Sequence, residues 1–352
     1  MVQLESQPDV LSFSSMLGDI VFSGVVDSGL LVLSLSAAGG VSIEVLRERF
    51  SCDADGRVTV CELSSLVEPY ARRYGSVVLS CTFTVGSSDY SISPVTVLYC
   101  MSDVVEDASV FTSSHFLSLL SGEKLTAYGR DERLYAYGAS TVAVSAEVRL
   151  PVGTFTTLTA TLNAISTVNG ISQFDVSPST IISATDLIGG RLLSYTITAG
   201  HREQSFRVVV EQTPPDPSLI FVNSFGCEEF FHCSGTLKRD SKYTRSSVRI
   251  CGRLRQYKID EERHFTANTG WLNDAMLYWA EDLFLSDSVY LWEDGHRGKE
   301  VVLSESKSEL TNEEDELVSF EFTYVYAQRI HHVLRKSRSV RLFSDHFEEI
   351  YN

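Results

Sequence analysis

Short segments in which every second residue is apolar most constrain the fold of this chain. The clearest is Thr141–Leu150, whose apolar positions are Val142, Val144, Ala146, Val148 and Leu150. Successive side chains of a β-strand point to opposite faces of the sheet, so this pattern predicts a strand that is buried on one side. Similar segments recur through most of the sequence and predict a mainly β protein.

Length and turn residues divide the chain into three predicted domains. At 352 residues the chain exceeds the size of one average domain. Residues 1–103 and 104–212 contain apolar strands separated by turn residues, at the spacing of immunoglobulin-like β-sandwich domains. The sequence Thr213-Pro-Pro-Asp-Pro217 marks the next boundary, because proline lacks the backbone donor that a helix or strand interior needs. The third domain is predicted at residues 219–352.

The third domain combines strand, helix and turn signals within residues 221–327. Leu272–Leu285 has an amphipathic pattern that predicts its one main helix. The apolar stripe of this helix consists of Leu272, Met276, Trp279, Leu283 and Phe284. Strands are predicted before and after the helix, the last of them at Val318–Ala327. The final residues, Gln328–Asn352, are predicted to form a C-terminal arm that orders on a neighbouring molecule.

A basic segment distinguishes the third domain from the rest of the chain. Nine Lys or Arg residues fall between Lys238 and Arg263, whereas residues 1–236 contain twelve against twenty-five acidic residues. Taken as one strand, this segment would place Val248, Ile250, Gly252 and Leu254 on one face. The opposite face would then carry Arg249, Cys251, Arg253 and Arg255.

A row of three arginines needs water or acidic partners. Three interpretations stay open for Arg249, Arg253 and Arg255: a solvated strand face, a charged subunit interface, and a nucleic-acid contact. The third is disfavoured at this stage because the arginines are not interleaved with exposed aromatic residues. The net charge of −17 also argues against general nucleic-acid binding, which needs a basic surface.

Targeting signals and membrane spans are not predicted. Residues 1–9 lack the basic start and apolar stretch of a signal peptide. The apolar runs are far shorter than the roughly 20 residues that span a bilayer. The seven cysteines contain no CxxC pair and lie mostly among alternating apolar residues, so we expect free thiols rather than a disulfide framework.

Motifs that would indicate an enzyme, a metal site or a cofactor are missing from the sequence. It contains no P-loop, HExxH, GxSxG or dinucleotide-binding glycine motif. Asp53-Ala-Asp55-Gly56 resembles part of a calcium loop, but its glycine comes too early, so a hairpin turn is predicted. His232 and the pair His331-His332 lack a ligand pattern for zinc. The sequence therefore predicts no catalytic residues, no metal and no cofactor.

The order of elements in the third domain resembles a known family. A basic strand, a strand at Glu262–Ala267, the helix, a strand at Val289–Trp292 and a long final strand follow one another. This order resembles the split β-barrel with one helix of phage tail-tube proteins and of distal-tail or baseplate-hub proteins. Phe221-Val-Asn-Ser-Phe-Gly226, Ser286-Asp-Ser-Val-Tyr290 and Phe320-Glu-Phe-Thr-Tyr324 also resemble tail-associated proteins of phages and prophages of Bacteroidetes-type hosts.

The resemblance, which covers residues 219–327, implies a non-enzymatic structural protein of the virion, assembled in the host cytoplasm. Its partners would be other copies, arranged in a ring around a passive DNA channel, and further tail proteins. The two upstream domains would be decorating or carbohydrate-facing modules. The basic face of Arg249, Arg253 and Arg255 would then meet acidic residues of a neighbouring subunit. The candidates are Glu313, Glu314, Asp315 and Glu316.

Two alternatives from other functional classes remain. Stacked immunoglobulin-like domains and tyrosine-rich strands also suit an adhesin or glycan-binding protein at the cell surface or in the extracellular space. An enzyme would require a deep pocket in which carboxylates with shifted pKa values converge.

Overall fold

The computed structural model describes residues 2–37, 40–104, 106–210, 216–307 and 318–328. Within these ranges the protein is mainly β, with five sheets and four α-helices. The predicted fold class is confirmed at this level. The predicted C-terminal arm, the acidic residues Glu313–Glu316 and the pair His331-His332 lie outside the described residues.

Residues 3–98 form a six-stranded and a three-stranded sheet. Their strands are β1 (Gln3–Ser6), β2 (Leu11–Phe13), β3 (Ile20–Ser23), β4 (Gly29–Ala37), β5 (Val41–Phe50), β6 (Val58–Val60), β7 (Ser76–Val85), β8 (Ser88–Ser91) and β9 (Val95–Leu98). The larger sheet has the order β2-β9-β7-β4-β5 with β8 on β7, and the smaller has the order β1-β3-β6. Helix α1 (Leu63–Tyr74) lies between β6 and β7.

Asp53 lies in a local turn before β6, but this turn does not close the predicted hairpin, because β5 and β6 belong to different sheets. The Asp53 carboxylate accepts hydrogen bonds from the backbone N–H groups of Asp55 and Arg57 at 2.9 and 2.8 Å. These bonds stabilise the turn. One hydrophobic core contains residues of both sheets and of α1, among them Phe22, Leu33 and Val67.

Residues 108–209 form a five-stranded sheet and a three-stranded sheet. The elements are α2 (Ala108–Ser114), β10 (Glu123–Ala127), β11 (Arg133–Tyr137), β12 (Thr141–Arg149), β13 (Phe155–Asn163), β14 (Ser166–Val168), β15 (Ile171–Asp175), α3 (Pro178–Ala184), β16 (Arg191–Ala199) and β17 (Arg202–Val209). The larger sheet has the order β10-β17-β16-β12-β13, and the smaller has the order β11-β15-β14. Strand β12 shows the predicted alternation, because every second residue is buried.

Residues 218–326 form one seven-stranded sheet with one helix. The elements are β18 (Ser218–Val222), β19 (Glu228–His232), β20 (Leu237–Ile250), β21 (Arg253–Asn268), α4 (Asp274–Leu285), β22 (Val289–Glu293), β23 (His296–Lys307) and β24 (Glu321–Tyr326). The strand order is β19-β18-β22-β23-β24-β21-β20. The side chain of Asn273 caps α4 by accepting the N–H of Met276, and Met276, Trp279 and Leu283 of the predicted stripe are buried.

Three aromatic rings join the three parts of the chain. Phe13 is the last residue of β2, Phe111 belongs to α2, and Phe225 lies in the turn between β18 and β19. The ring centroids lie 5.7 Å apart for Phe13 and Phe111, 5.2 Å for Phe111 and Phe225, and 5.8 Å for Phe13 and Phe225. All three side chains are buried, so this cluster fixes the C-terminal sheet against the preceding parts.

Candidate assembly interface

Strands β20 and β21 form a long two-stranded hairpin, which we call the β-ribbon. They pair from Leu237 opposite Ala267 to Ile250 opposite Arg253. Strand β21 pairs with β24 only through Phe265–Asn268. At the usual rise of about 3.3 Å per residue, the part of the ribbon between Phe265 and the turn that joins β20 to β21 is about 40 Å long. The β-ribbon therefore projects well beyond the sheet that carries it.

The single basic strand predicted from the sequence is wrong, because the chain reverses at Cys251-Gly252. These two residues have φ of 50° and 77°, the left-handed backbone of a tight two-residue hairpin turn. Arg249 consequently lies opposite Leu254, whereas Arg253 and Arg255 lie opposite Ile250 and Val248. Directly opposite residues share a face of the ribbon, so the three arginines do not form one row.

Each face of the ribbon mixes arginine with aliphatic side chains. Arg249 with Leu254 and Arg245 with Ile259 occupy one face. The other face carries two further pairs, which are Ile250 with Arg253 and Val248 with Arg255. Both faces can therefore contact a partner that offers apolar surface and acidic groups together.

The outer part of the ribbon leaves large apolar side chains in solvent. Leu254 is 68% exposed, Tyr257 is 69%, Ile259 is 56% and Ile250 is 52%. An isolated two-stranded hairpin is only marginally stable in water, and exposed apolar clusters mark interaction surfaces. Tyr243 and Tyr257 are exposed on the ribbon, so the predicted lack of exposed aromatic residues near the arginines is also wrong.

The ribbon tip, residues 241–259, is strongly basic. It contains six Lys or Arg residues and no Asp or Glu. Removing these six positive charges from the net charge of −17 leaves −23 on the remainder of the chain. Arg249, Arg253 and Arg255 form no ion pair with any of the described residues. The three arginines are therefore available to an acidic partner.

A buried polar cluster ties the middle strands to the C-terminal sheet. Lys124 Nζ donates to Glu132 Oε2 at 2.7 Å and to the carbonyl oxygen of Phe230 at 3.0 Å. The same ammonium group lies 4.2 Å from the ring centroid of Trp279. Trp279 Nε1 donates to Glu229, and Asn223 Nδ2 donates to Glu229 Oε1 at 2.5 Å. The cluster anchors the sheet from which the ribbon projects.

Burial shifts the pKa values of several groups near this cluster. Burial raises the pKa of Glu229, and the nearby Lys124 and the hydrogen bond from Asn223 oppose the shift. Burial also raises the pKa of Asp282, which accepts the hydroxyl of Ser224 at 2.5 Å. Burial and the positive charge of Arg130 lower the pKa of His232 to about 3.

These groups have structural partners and do not line the groove on the five-stranded sheet. This groove has a volume of about 590 Å³ and lies on the outer face of the sheet, where Glu123, Glu147 and Arg207 are among its lining residues. Glu229, Asp282 and His232 are not among its lining residues. In the part of the chain that the structure describes, no three His, Cys, Asp or Glu side chains are grouped to hold a metal ion.

All seven cysteines are free thiols, as predicted, and four of them are buried. Burial raises the pKa of Cys81 to about 12 and that of Cys100 to about 11. Cys251 at the ribbon turn and Cys61 are exposed. Cys251 therefore provides an accessible thiol at the ribbon turn, and Cys61 provides one outside the ribbon.

Neither the hairpin nor the buried cluster is predicted from the sequence. Gly252 was the available signal for the hairpin, since a glycine within a strand pattern often marks a turn or bulge. Lys124, Glu132 and Glu229 gave no comparable signal. Charged residues in strands are normally exposed, and their burial depends on contacts between distant segments.

Comparisons with known proteins identify no family. No protein-family model matches the chain, and no curated protein matches it. Among the described residues, no helix combines the length and apolar character needed to cross a membrane. The β-ribbon and the chemistry of its surface are therefore the features that indicate a function.

Proposed function

We propose that this chain is a non-enzymatic structural subunit that self-assembles through its C-terminal domain. The observation that carries the proposal is the β-ribbon, whose tip combines six positive charges with exposed Leu254, Tyr257 and Ile259. The ribbon tip docks on an acidic, partly apolar surface of a neighbouring copy. Burial of the aliphatic side chains supplies affinity, and the arginines supply orientation and specificity.

The aliphatic side chains favour a protein partner over nucleic acid. A phosphate backbone rewards positive charge but offers no apolar groove for Leu254, Ile259 and Ile250. Interfaces between proteins are enriched in arginine and aromatic residues, which the tip provides in Arg249 and Tyr257. The exposed tyrosines could stack on bases, so nucleic-acid binding is an outcome that the experiment has to distinguish.

Charge complementarity favours a second copy as the partner. The tip is positive, whereas the remainder of the same chain carries −23 once the tip is subtracted from the net −17. Association of two copies through the tip therefore brings opposite charges together. The acidic residues Glu313, Glu314, Asp315 and Glu316 are the proposed counterpart of Arg249, Arg253 and Arg255.

The proposed assembly is a ring within a phage tail or baseplate. A seven-stranded sheet with α4 packed against it supports a tail-tube-like split barrel as the finer description of the C-terminal domain. A core shared between the two N-terminal sheets supports a β-sandwich of immunoglobulin-like type. In this proposal the protein resides in the virion and contacts further tail proteins.

Negative-stain electron microscopy of the purified chain tests this proposal. The wild-type protein should form rings or tubes of uniform diameter, and a variant with Leu254→Ser and Ile259→Ser should not. Ser88→Ala with Ser91→Ala on the exposed part of β8 is a matched control that should assemble normally. Particles that remain monomeric at every concentration would contradict the proposal.

A parallel binding measurement distinguishes nucleic acid from protein. Fluorescence anisotropy with a labelled duplex at physiological salt should show only weak binding, and the chain should self-assemble at the same salt concentration without the duplex. Tight DNA binding by a monomeric protein, lost in Arg253→Gln with Arg255→Gln, would replace the proposed role by nucleic-acid binding.

The groove on the five-stranded sheet is the observation that supports the alternative, a glycan-binding surface protein. Its lining offers hydroxyl groups and the carboxylates of Glu123 and Glu147. The aromatic rings of its lining, Tyr195 and Phe206, are buried in the sheet. A glycan array in which Glu147→Gln abolishes a reproducible signal would support this alternative.

A further inference from the structure

Among the described residues, strand β13 forms one edge of the five-stranded sheet, and this edge is the basis of an inference that is independent of the β-ribbon. Strand β13 lies at the end of the strand order, next to β12. Its nine residues, Phe-Thr-Thr-Leu-Thr-Ala-Thr-Leu-Asn, contain no charge, proline or glycine. Natural proteins usually protect a long edge strand with charges, proline or a bulge, and β13 pairs with β12 without a register shift.

Other long edge strands of the described chain carry such protection. Strand β5, the edge of the six-stranded sheet, contains Glu44, Arg47, Glu48 and Arg49. Strand β20, the edge of the seven-stranded sheet, contains five Lys or Arg residues. Helix α3 contacts β13, but β13 lacks the charges that protect the other two long edges.

The hydrogen bonds at the two ends of β13 show which backbone groups are directed outward. Leu150 donates its N–H to the carbonyl of Thr154, and Ala164 donates to that of Ser140. Antiparallel pairing alternates hydrogen-bonded and non-bonded residue pairs, so the even-numbered residues of β13 bond to β12. The odd-numbered residues, Phe155, Thr157, Thr159, Thr161 and Asn163, direct their N–H and C=O groups away from the sheet.

We propose that β13 pairs antiparallel with β13 of a second copy, about a two-fold axis at Thr159. The odd-numbered residues then face each other: Thr159 meets its own counterpart, and Thr157 meets Thr161 of the other copy. Cross-strand threonine pairs are favourable. The two five-stranded sheets become one continuous ten-stranded sheet.

Two further observations favour a second copy as the occupant. On the inner face, Leu158, Ala160 and Leu162 are only partly buried against the core, and the added strand covers them with the same residues of its partner. On the outer face, Glu147 of β12 is opposite Thr157. Across the dimer, the residues beside Glu147 and Thr157 are Thr161 of β13 and Ala143 of β12 in the second copy. No like charges are therefore brought together.

Disulfide cross-linking tests the register directly. In a background with Cys52, Cys61 and Cys251 replaced by serine, Thr159→Cys should form a covalent dimer under mild oxidation. Hydrogen-bonded residue pairs have Cα atoms about 5.5 Å apart, within the range of a disulfide. Ser145→Cys is the matched control, because Ser145 lies directly opposite Thr159 on β12. Two copies of Ser145 would be three strand spacings apart, about 14 Å, and too far to cross-link.

A mixing experiment guards against failure of one variant. Thr157→Cys and Thr161→Cys should each give little dimer alone but a covalent heterodimer when the two variants are mixed.

Lysine substitutions test the same edge without cross-linking. Thr159→Lys should lower the mass measured by light scattering, whereas Ser145→Lys should leave the mass unchanged. The two lysine variants should have the same melting temperature. Adding a ribbon substitution such as Leu254→Ser to the Thr159→Cys variant should leave its cross-linking intact. Equal cross-linking at positions 145 and 159, or no heterodimer on mixing, would overturn the proposal.

Discussion

Arg249 lies directly opposite Leu254 across the β-ribbon, so a positive charge and an exposed aliphatic side chain share one face. Replacing Arg249, Arg253 and Arg255 by glutamine should weaken self-association at low salt. It should also flatten the salt dependence, because exposed charges are screened within about 10 Å at 0.1 M salt. Sedimentation velocity at several salt concentrations measures both effects. An unchanged salt dependence in the glutamine variant would show that these arginines do not contact the partner.

The thiol at the ribbon turn reports on docking. Cys251 and Cys61 are both exposed in the isolated chain, and both should react rapidly with a maleimide at low protein concentration. Assembly should slow modification of Cys251 but not of Cys61. Mass spectrometry after limited labelling gives the two rates within one sample. Equal rates at all concentrations would place the ribbon turn outside the interface.

The buried ion pair of Lys124 and Glu132 should be essential for stability. Lys124→Met leaves the Glu132 carboxylate uncompensated and should cost about 3–5 kcal/mol of unfolding free energy. Adding Glu132→Leu should restore most of this loss. Arg207→Met, which removes the largely exposed pair with Glu123, should change stability little. Urea unfolding checks all three variants, and a small effect of Lys124→Met would contradict the assignment.

Acidification should destabilise the protein through His232. Its pKa in the folded state is lowered to about 3 by burial, whereas an unperturbed histidine titrates near pH ~6.5. Between these values the unfolded chain binds a proton that the folded chain does not, so stability falls as pH falls through this window. His232→Gln should show a weaker loss between pH 7.5 and 5 in urea unfolding. Parallel pH profiles would contradict this role.

Local features of the fold could be predicted from the sequence, whereas contacts between distant segments could not. The pattern of Leu272–Leu285 predicted α4, which spans Asp274–Leu285, because capping and an apolar stripe are encoded within the helix itself. The alternation in Thr141–Leu150 likewise predicted β12. The ring cluster of Phe13, Phe111 and Phe225 depends on residues far apart in sequence, and no local pattern specifies it.

The candidate interface was predicted in composition but not in geometry. The basic character of the segment was evident from the sequence, as was the suitability of Arg249 for an acidic partner. The three arginines were assigned to one face incorrectly, because one long strand and a hairpin of two strands show the same alternation of apolar and basic residues. Only the backbone at Cys251-Gly252, with positive φ at both residues, decides between them.

Self-assembly through the ribbon tip is the central claim, and sedimentation velocity of the full chain tests it most directly. The wild-type protein should sediment as a multiple of its 39.1 kDa mass, with the larger species favoured as concentration rises. Leu254→Ser with Ile259→Ser should lose the ribbon-dependent assembly and leave no species larger than the dimer expected from β13. An assembly unchanged by these substitutions, or a wild-type chain that remains monomeric throughout, would contradict the account.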